Sequence, residues 1–196
     1  EADRIGVFVT RGHGKVRAVA KGVRKTKSRF GSRLEPGSHV ALQFYEGREL
    51  DIVTQAESVD HFRAIREDLD LLAGAQAMLE ATDQVSQERE PDARLYQLLL
   101  GALRTLAGTG GTLVVPAFLL KLLAADGVQP LVEQCASCGE DTSLVAFDLG
   151  AGGLLCRSCR SGIPVSPDAV ALLRDVLGGR LNAALARDGE APIAIG

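Results

Sequence analysis

Four cysteines constrain this chain more than any other feature. Cys135 and Cys138 form one Cys-x2-Cys pair, seventeen residues follow, and Cys156 and Cys159 form a second. Each pair presents two sulfurs around a shared turn, and a hairpin between the pairs can return the second to the first. This is the spacing of a tetrahedral four-cysteine zinc site. The intervening residues fit, with strand-like Ser143-Leu-Val-Ala-Phe-Asp148 and Gly153-Leu-Leu155 on either side of a glycine-rich turn. Free or redox-active thiols are the alternative use of the same residues. Four cysteine ligands leave no open coordination position, so one Zn2+ per chain is expected to be structural. Glu133, Glu140, Asp141 and Asp148 surround the cysteines, against the bases Arg157 and Arg160. A clip between helices therefore fits better than a ribbon that touches DNA.

Charge is the second constraint. Residues 4–33 hold ten Lys or Arg and no Asp or Glu, in a chain whose net charge is −3. Such segregation creates a positive surface that an anionic partner can find. Within this block Ile5-Gly-Val-Phe-Val-Thr10 reads as a strand, Arg11-Gly-His-Gly14 as a hairpin turn and Lys15-Val-Arg-Ala-Val-Ala-Lys21 as a second strand. Strand alternation puts Lys15, Arg17, Val19 and Lys21 on one face and Val16, Ala18 and Ala20 on the other. A loop follows with Arg24, Lys25, Lys27 and Arg29, an aromatic (Phe30) that reads as exposed, and then Arg33. A basic β-face beside a basic loop suits a polyphosphate backbone, and the basic amphipathic helix of a membrane-surface binder is missing. The plainer reading is a charged edge hairpin that blunts a sheet edge. The set expected to meet a nucleic-acid backbone is Arg11, Lys15, Arg17, Lys21, Arg24, Lys25, Lys27, Arg29 and Arg33. The aromatics available for base stacking are Phe8, Phe30, Phe44 and Tyr45, some of which strand alternation places in the core. Phosphate contacts with little sequence preference are therefore expected.

Two further strands, Ser38-His-Val-Ala-Leu-Gln-Phe-Tyr45 and Leu50-Asp-Ile-Val-Thr-Gln-Ala-Glu57, complete a small antiparallel sheet or barrel. From Ser58, an apparent N-cap, Phe62, Ile65, Leu69, Leu72 and Leu79 recur at helical spacing to about Ala81. Residues 82–90 read as a polar loop. Further helices are expected after Pro91-Asp92, around Pro116, after Ser166-Pro167 and over residues 181–186, packed as one bundle. The change in character gives a β domain over 1–57 and a helical domain over 58–196, with the zinc insertion at about 131–163. The glycine-rich segment at 108–111 lacks a Lys-Ser/Thr ending and reads as a helix breaker.

No run of eighteen apolar residues and no signal peptide appear, so a cytoplasmic protein with no membrane partner is expected. His13, His39 and His61 read as surface or capping residues, and no Ser sits in a nucleophile elbow. With no catalytic residues nominated, the chain is not expected to be an enzyme.

Several stretches in order resemble the bacterial recombination mediator family RecO. Glu1-Ala-Asp-Arg-Ile, Thr10-Arg-Gly-His-Gly-Lys15, Ala18-Val-Ala-Lys-Gly-Val-Arg24, Ser28-Arg-Phe-Gly31 and residues 50–57 are similar to its N-terminal domain. Phe118-Leu-Leu-Lys-Leu-Leu-Ala-Ala-Asp-Gly127, Pro130 and Cys135-Ala-Ser-Cys-Gly139 are similar to the helix leading into its zinc region. The resemblance implies an α+β fold: an N-terminal antiparallel β-barrel of the oligonucleotide-binding type (OB-fold), then an α-helical bundle with an inserted four-cysteine zinc ribbon. The barrel's first strand is expected upstream of Glu1. The resemblance also implies a mediator of DNA repair and recombination that binds single- and double-stranded DNA and anneals complementary strands. Its implied protein partners are RecR, single-strand-binding protein with its acidic C-terminal tail and, indirectly, RecA. The competing reading is a basic adaptor that docks an acidic partner tail without binding DNA.

Overall fold

The computed structural model describes residues 2–23, 28 and 30–188. The chain divides into two compact units, Glu1–Gly110 and Gly111–Gly196.

The first unit opens with β1 (Arg4–Thr10) and β2 (Gly14–Ala20), an antiparallel hairpin in register from Arg4 opposite Ala20 to Thr10 opposite Gly14. Gly14 closes the turn at a φ of 66°, in the left-handed region that glycine enters at no steric cost. β3 (His39–Tyr45) and β4 (Asp51–Asp60) form a second antiparallel hairpin, with register shifts between His39 and Val40 and between Gln43 and Phe44. The hairpins join through a short ladder, Ala18 with Asp51 and Val19 with Ile52, giving the order β1-β2-β4-β3. That joint is parallel, so the sheet is mixed and not wholly antiparallel as expected. Among the described residues the ladder ends at β1 on one side and β3 on the other, without closing into a barrel.

Alternation along β2 works as its residues require. Val16, Ala18 and Ala20 are buried in a core with Val23, Phe30 and Val53, backed by Phe8, Leu42 and Phe44. Phe30 departs from expectation: it is 1% exposed, not a surface aromatic. The ring supplies bulk to a core whose strand residues are mostly Ala and Val.

α1 (Arg63–Glu67), α2 (Leu69–Val85) and α3 (Ala93–Thr109) complete the unit. Ser58 is not a cap, because β4 runs on to Asp60. The chain then turns at Phe62, whose left-handed backbone (φ 45°) is held as its N–H donates to Asp60 Oδ1 at 2.8 Å. The true cap of the long helix is Asp68, which accepts from the N–H groups of Asp70 and Leu71. Asp68 is extended (φ −125°, ψ 125°), so the helical phase is lost between Ile65 and Leu69. Ile65 is consequently buried while Leu69, expected inward, is 79% exposed. α2 also runs past Ala81 to Val85, shortening the expected loop. α3 begins as expected, with Asp92 accepting from Arg94 and Leu95 N–H, and ends at Gly110 (φ 61°).

The second unit contains α4 (Val114–Ala125), β5 (Leu144–Asp148), β6 (Gly153–Cys156), β7 (Ile163–Pro164), α5 (Pro167–Leu177) and α6 (Leu181–Asp188). The small sheet has the order β6-β5-β7. Val132, Leu144, Leu154, Leu155 and Val170 bury its inner side together with Cys135 and Cys156. α5 starts as its sequence dictates, with Ser166 Oγ accepting from Ala169 N–H at 3.1 Å and Pro167 in the first turn. The helices thus fall in two groups, α1–α3 with the first sheet and α4–α6 with the second.

Candidate nucleic-acid face and metal centre

The four cysteines converge. Their sulfurs all lie within 4.8 Å of one another, and Cys138 Sγ and Cys156 Sγ are 3.7 Å apart. That separation is far beyond the ~2.05 Å of a disulfide. It matches the ~3.8 Å between sulfurs placed tetrahedrally ~2.3 Å from a zinc ion. The first knuckle is shaped by backbone bonds: Cys135 N–H donates to Glu140 O (2.7 Å) and Gly139 N–H to Cys135 O (2.9 Å). The second is shaped by Cys159 N–H donating to Cys156 O (3.2 Å). Ala136 N–H donates to Leu154 O at 2.8 Å, tying the first knuckle to β6.

Two of the thiols, Cys135 and Cys138, are shifted in opposite directions. The Cys156 backbone N–H holds Cys135 down at about 6. Cys138 receives an N–H from Glu140 that favours its thiolate, yet the three neighbouring sulfurs push it up to about 12. Four clustered thiols resist joint ionisation unless a cation shares the site, which is the condition a divalent metal satisfies. The residues therefore fit a metal with soft sulfur ligands, held by Cys135, Cys138, Cys156 and Cys159.

The basic residues fall into three groups. Arg11 lies exposed in the β1–β2 turn, and Lys21 is exposed just beyond β2. The turn is braced by Thr10 Oγ1, which donates to Gly14 O (2.9 Å) and accepts from His13 N–H (3.0 Å). Lys15 and Arg17 share a face of β2 as expected but carry carboxylate partners. Lys15 Nζ donates to Asp83 O at 2.7 Å and lies 3.1 Å from Asp83 Oδ1. Arg17 is 3.7 Å from Glu88 Oε1. Arg33, in the single helical turn Gly31–Leu34, donates to Phe30 O at 3.4 Å. Arg24, Lys25, Lys27 and Arg29 lie outside the described residues.

Sequence reasoning missed the residues that engage these bases. Asp83 and Glu88 fall in the stretch that reads as a polar loop. Their negative charges were the available signal, but which base each would meet depends on tertiary placement. His39 was also misread. It is half-buried, its Nε2 lies 2.9 Å from Tyr96 Oη, and its buried Nδ1 has no hydrogen-bond partner among the described residues. Burial, then the charge of Arg104, lowers its pKa. His39 and Tyr96 line a cavity of about 940 Å3 in the first unit, bordered by both end strands of the sheet through residues such as Ile5, Val7, Val40 and Leu42.

With this geometry in place, the sequence matches two family descriptions in succession: Recombination protein O N terminal over residues 1–62 and Recombination protein O C terminal over residues 66–187. This chain belongs to the RecO family. Its relatives include proteins named DNA repair protein RecO from Frankia casuarinae, 47% identical over 97% of this chain and 81% of that protein, and from Nocardioides sp., 47% identical over 91% and 77%. The namesake from Streptomyces coelicolor is 45% identical over 91% and 77%. RecO membership places the chain among DNA repair and recombination proteins. Among the described residues no helix is long and apolar enough to cross a membrane.

Proposed function

We propose that this RecO-family chain is a recombination mediator that binds single- and double-stranded DNA through its basic β1–β2 face and the loop beyond it. The observation that carries the reading is charge segregation: ten bases and no acid in residues 4–33 of a chain with net charge −3. Contact falls on phosphates through Arg11, Lys15, Arg17, Lys21, Arg24, Lys25, Lys27, Arg29 and Arg33, so sequence preference is slight. Annealing needs no catalytic group, because positive charge screens two phosphate backbones from each other while their bases pair. With RecR, the chain helps load RecA onto DNA coated by single-strand-binding protein. The four cysteines hold one structural Zn2+. A strand laid between β1 and β3 would close this sheet, in its order β1-β2-β4-β3, into the proposed barrel of the OB type over the cavity they border.

The test is fluorescence anisotropy of a labelled ~30-mer single strand at several salt concentrations. If about five phosphates are neutralised, log K should fall against log salt with a slope of roughly −3.5. A slope near zero sinks the reading. Lys25→Ala with Arg29→Ala should slow annealing while leaving the fold intact, and unchanged annealing would move the site elsewhere.

A second reading has one observation in its favour. Lys15 and Arg17 already meet carboxylates, so the face accepts that anion as well as phosphate. A basic adaptor for the acidic tail of single-strand-binding protein would bind the tail peptide and ignore the free oligonucleotide.

A further inference from the structure

The bases of β2 are held by carboxylates of their own unit, and the hold is built into the backbone. Asp83 and Glu88 belong to residues 83–90, Asp-Gln-Val-Ser-Gln-Glu-Arg-Glu, the last turn of α2 and the stretch after it that runs beside β2. Lys15 N–H donates to Gln87 O at 3.1 Å, and Arg89 N–H donates to Lys15 O at 3.0 Å. A Cβ at Gly14 would collide with the backbone of Glu90, so the close approach relies on glycine at that position. Arg89 anchors the same segment from its other side, 2.9 Å from Asp51 Oδ1 and 3.7 Å from Glu46 Oε1. The acidic side chains are therefore positioned against the strand, and Lys15 and Arg17 receive one carboxylate each.

We propose that Asp83 and Glu88 compete with nucleic-acid phosphate for Lys15 and Arg17, and so set the affinity of the basic face. This rests on the DNA-binding reading above. The side chains of Arg17 and Glu88 are about half exposed, and such an ion pair is weak; Lys15 is 17% exposed and also donates to Asp83 O, so its pair yields less readily. A polyanion can displace them, but each displacement subtracts from its own binding. The carboxylates thus act as a tethered competitor. They lower affinity for any phosphate chain without regard to its sequence and leave the exposed bases Arg11 and Lys21 uncontested by this segment.

The experiment compares the whole chain with the double variant Asp83→Asn, Glu88→Gln, using the labelled ~30-mer at about 0.1 M salt. The variant should bind about 3- to 20-fold more tightly, chiefly by freeing the half-exposed Arg17 and in smaller part by loosening Lys15, which keeps its bond to Asp83 O. A control with the same charge change in the same unit, Glu49→Gln with Asp70→Asn, should shift Kd by less than about twofold, because these exposed carboxylates pair with neither Lys15 nor Arg17. The gain should vanish when Lys15→Gln and Arg17→Gln are added. Binding no tighter than the control, or a gain that survives loss of both bases, overturns the inference while leaving the DNA reading intact. If neither the parent chain nor the variant binds at low salt, the DNA reading falls and this inference falls with it. Glu88→Gln alone, on a half-exposed side chain, carries the same comparison at smaller amplitude should Asp83→Asn unsettle the end of α2.

Discussion

Arg89 reaches the buried carboxylate of Asp51 at 2.9 Å from a left-handed backbone position with φ 61°. Asp51, 5% exposed, also accepts from Gly47 N–H at 3.2 Å, so one carboxylate ties the β3–β4 turn to the segment after α2. Arg89→Ala leaves that carboxylate with the Gly47 bond and should destabilise the first unit by about 1–2 kcal/mol, the exposed guanidinium limiting the loss. Arg89→Gly loses the same ion pair but relaxes the backbone, and should be milder than alanine by up to ~1 kcal/mol. Urea midpoints read both. Equal midpoints for the two variants would show that the left-handed position carries no strain.

Phe30 separates a stacking role from a core role. Buried against Val16, Ala18 and Val53, its truncation to Ala should cost about 3 kcal/mol or more. Phe30→Leu fills most of the space, so it should keep the fold and leave the Kd for single-stranded DNA unchanged. Weakened DNA binding by a stable Phe30→Leu chain would return the ring to the surface.

The cysteine cluster should hold close to one Zn2+ per chain by elemental analysis. Chelation should lower the thermal midpoint by about 5 °C or more, since metal bound only by the folded ribbon stabilises it by mass action. Cys156→Ser should abolish stoichiometric metal. Metal affinity should fall as pH falls, because protons compete for the thiolates. A metal-free chain with an unchanged midpoint would contradict a structural ion.

His39 gives the stability of the first unit a pH dependence. Its pKa is lowered from the ordinary 6.5 in the folded state, first by burial and then by Arg104, with Asp60 opposing. The unfolded chain therefore binds its proton more readily. The stability this contributes is fully present above pH 6.5 and is lost as pH falls below 6.5 through the lower folded value. Urea midpoints at pH 7.5 and pH 5.5 should differ less in His39→Gln than in the parent chain. An identical difference would mean that His39 does not titrate across the unfolding transition.

Local rules made much of the molecule readable. Asp92 and Ser166-Pro167 start helices because short acceptors and a first-turn proline satisfy helix ends wherever they occur. The cysteine spacing foretold the convergence of the four sulfurs. Errors arose where two local signals met. Ser58 looks like a cap, yet a strand pairing with His39 and Val40 carries β4 past it. Ile65 and Leu69 look like one helical stripe, yet an extended Asp68 resets the phase between them. Phe30 sits among charges in sequence, while its ring fills a core made by strands on both sides of it. The pairing of Lys15 with Asp83 joins residues too far apart for any periodic pattern to reveal.

The parallel joint between β2 and β4 bears on the order in which the first unit assembles. Each hairpin is local and needs only its own turn to form. The ladder that unites them has two rungs, Ala18 with Asp51 and Val19 with Ile52, and its partners are distant along the chain. Loop-closure entropy opposes such a contact until other contacts reward it. The hairpins should therefore gain amide protection during refolding before the joint does, as pulse-labelled hydrogen exchange can resolve. Until the joint closes, β2 and β4 are two unsealed strand edges in one chain, so crowding during refolding should favour exchange of hairpins between molecules.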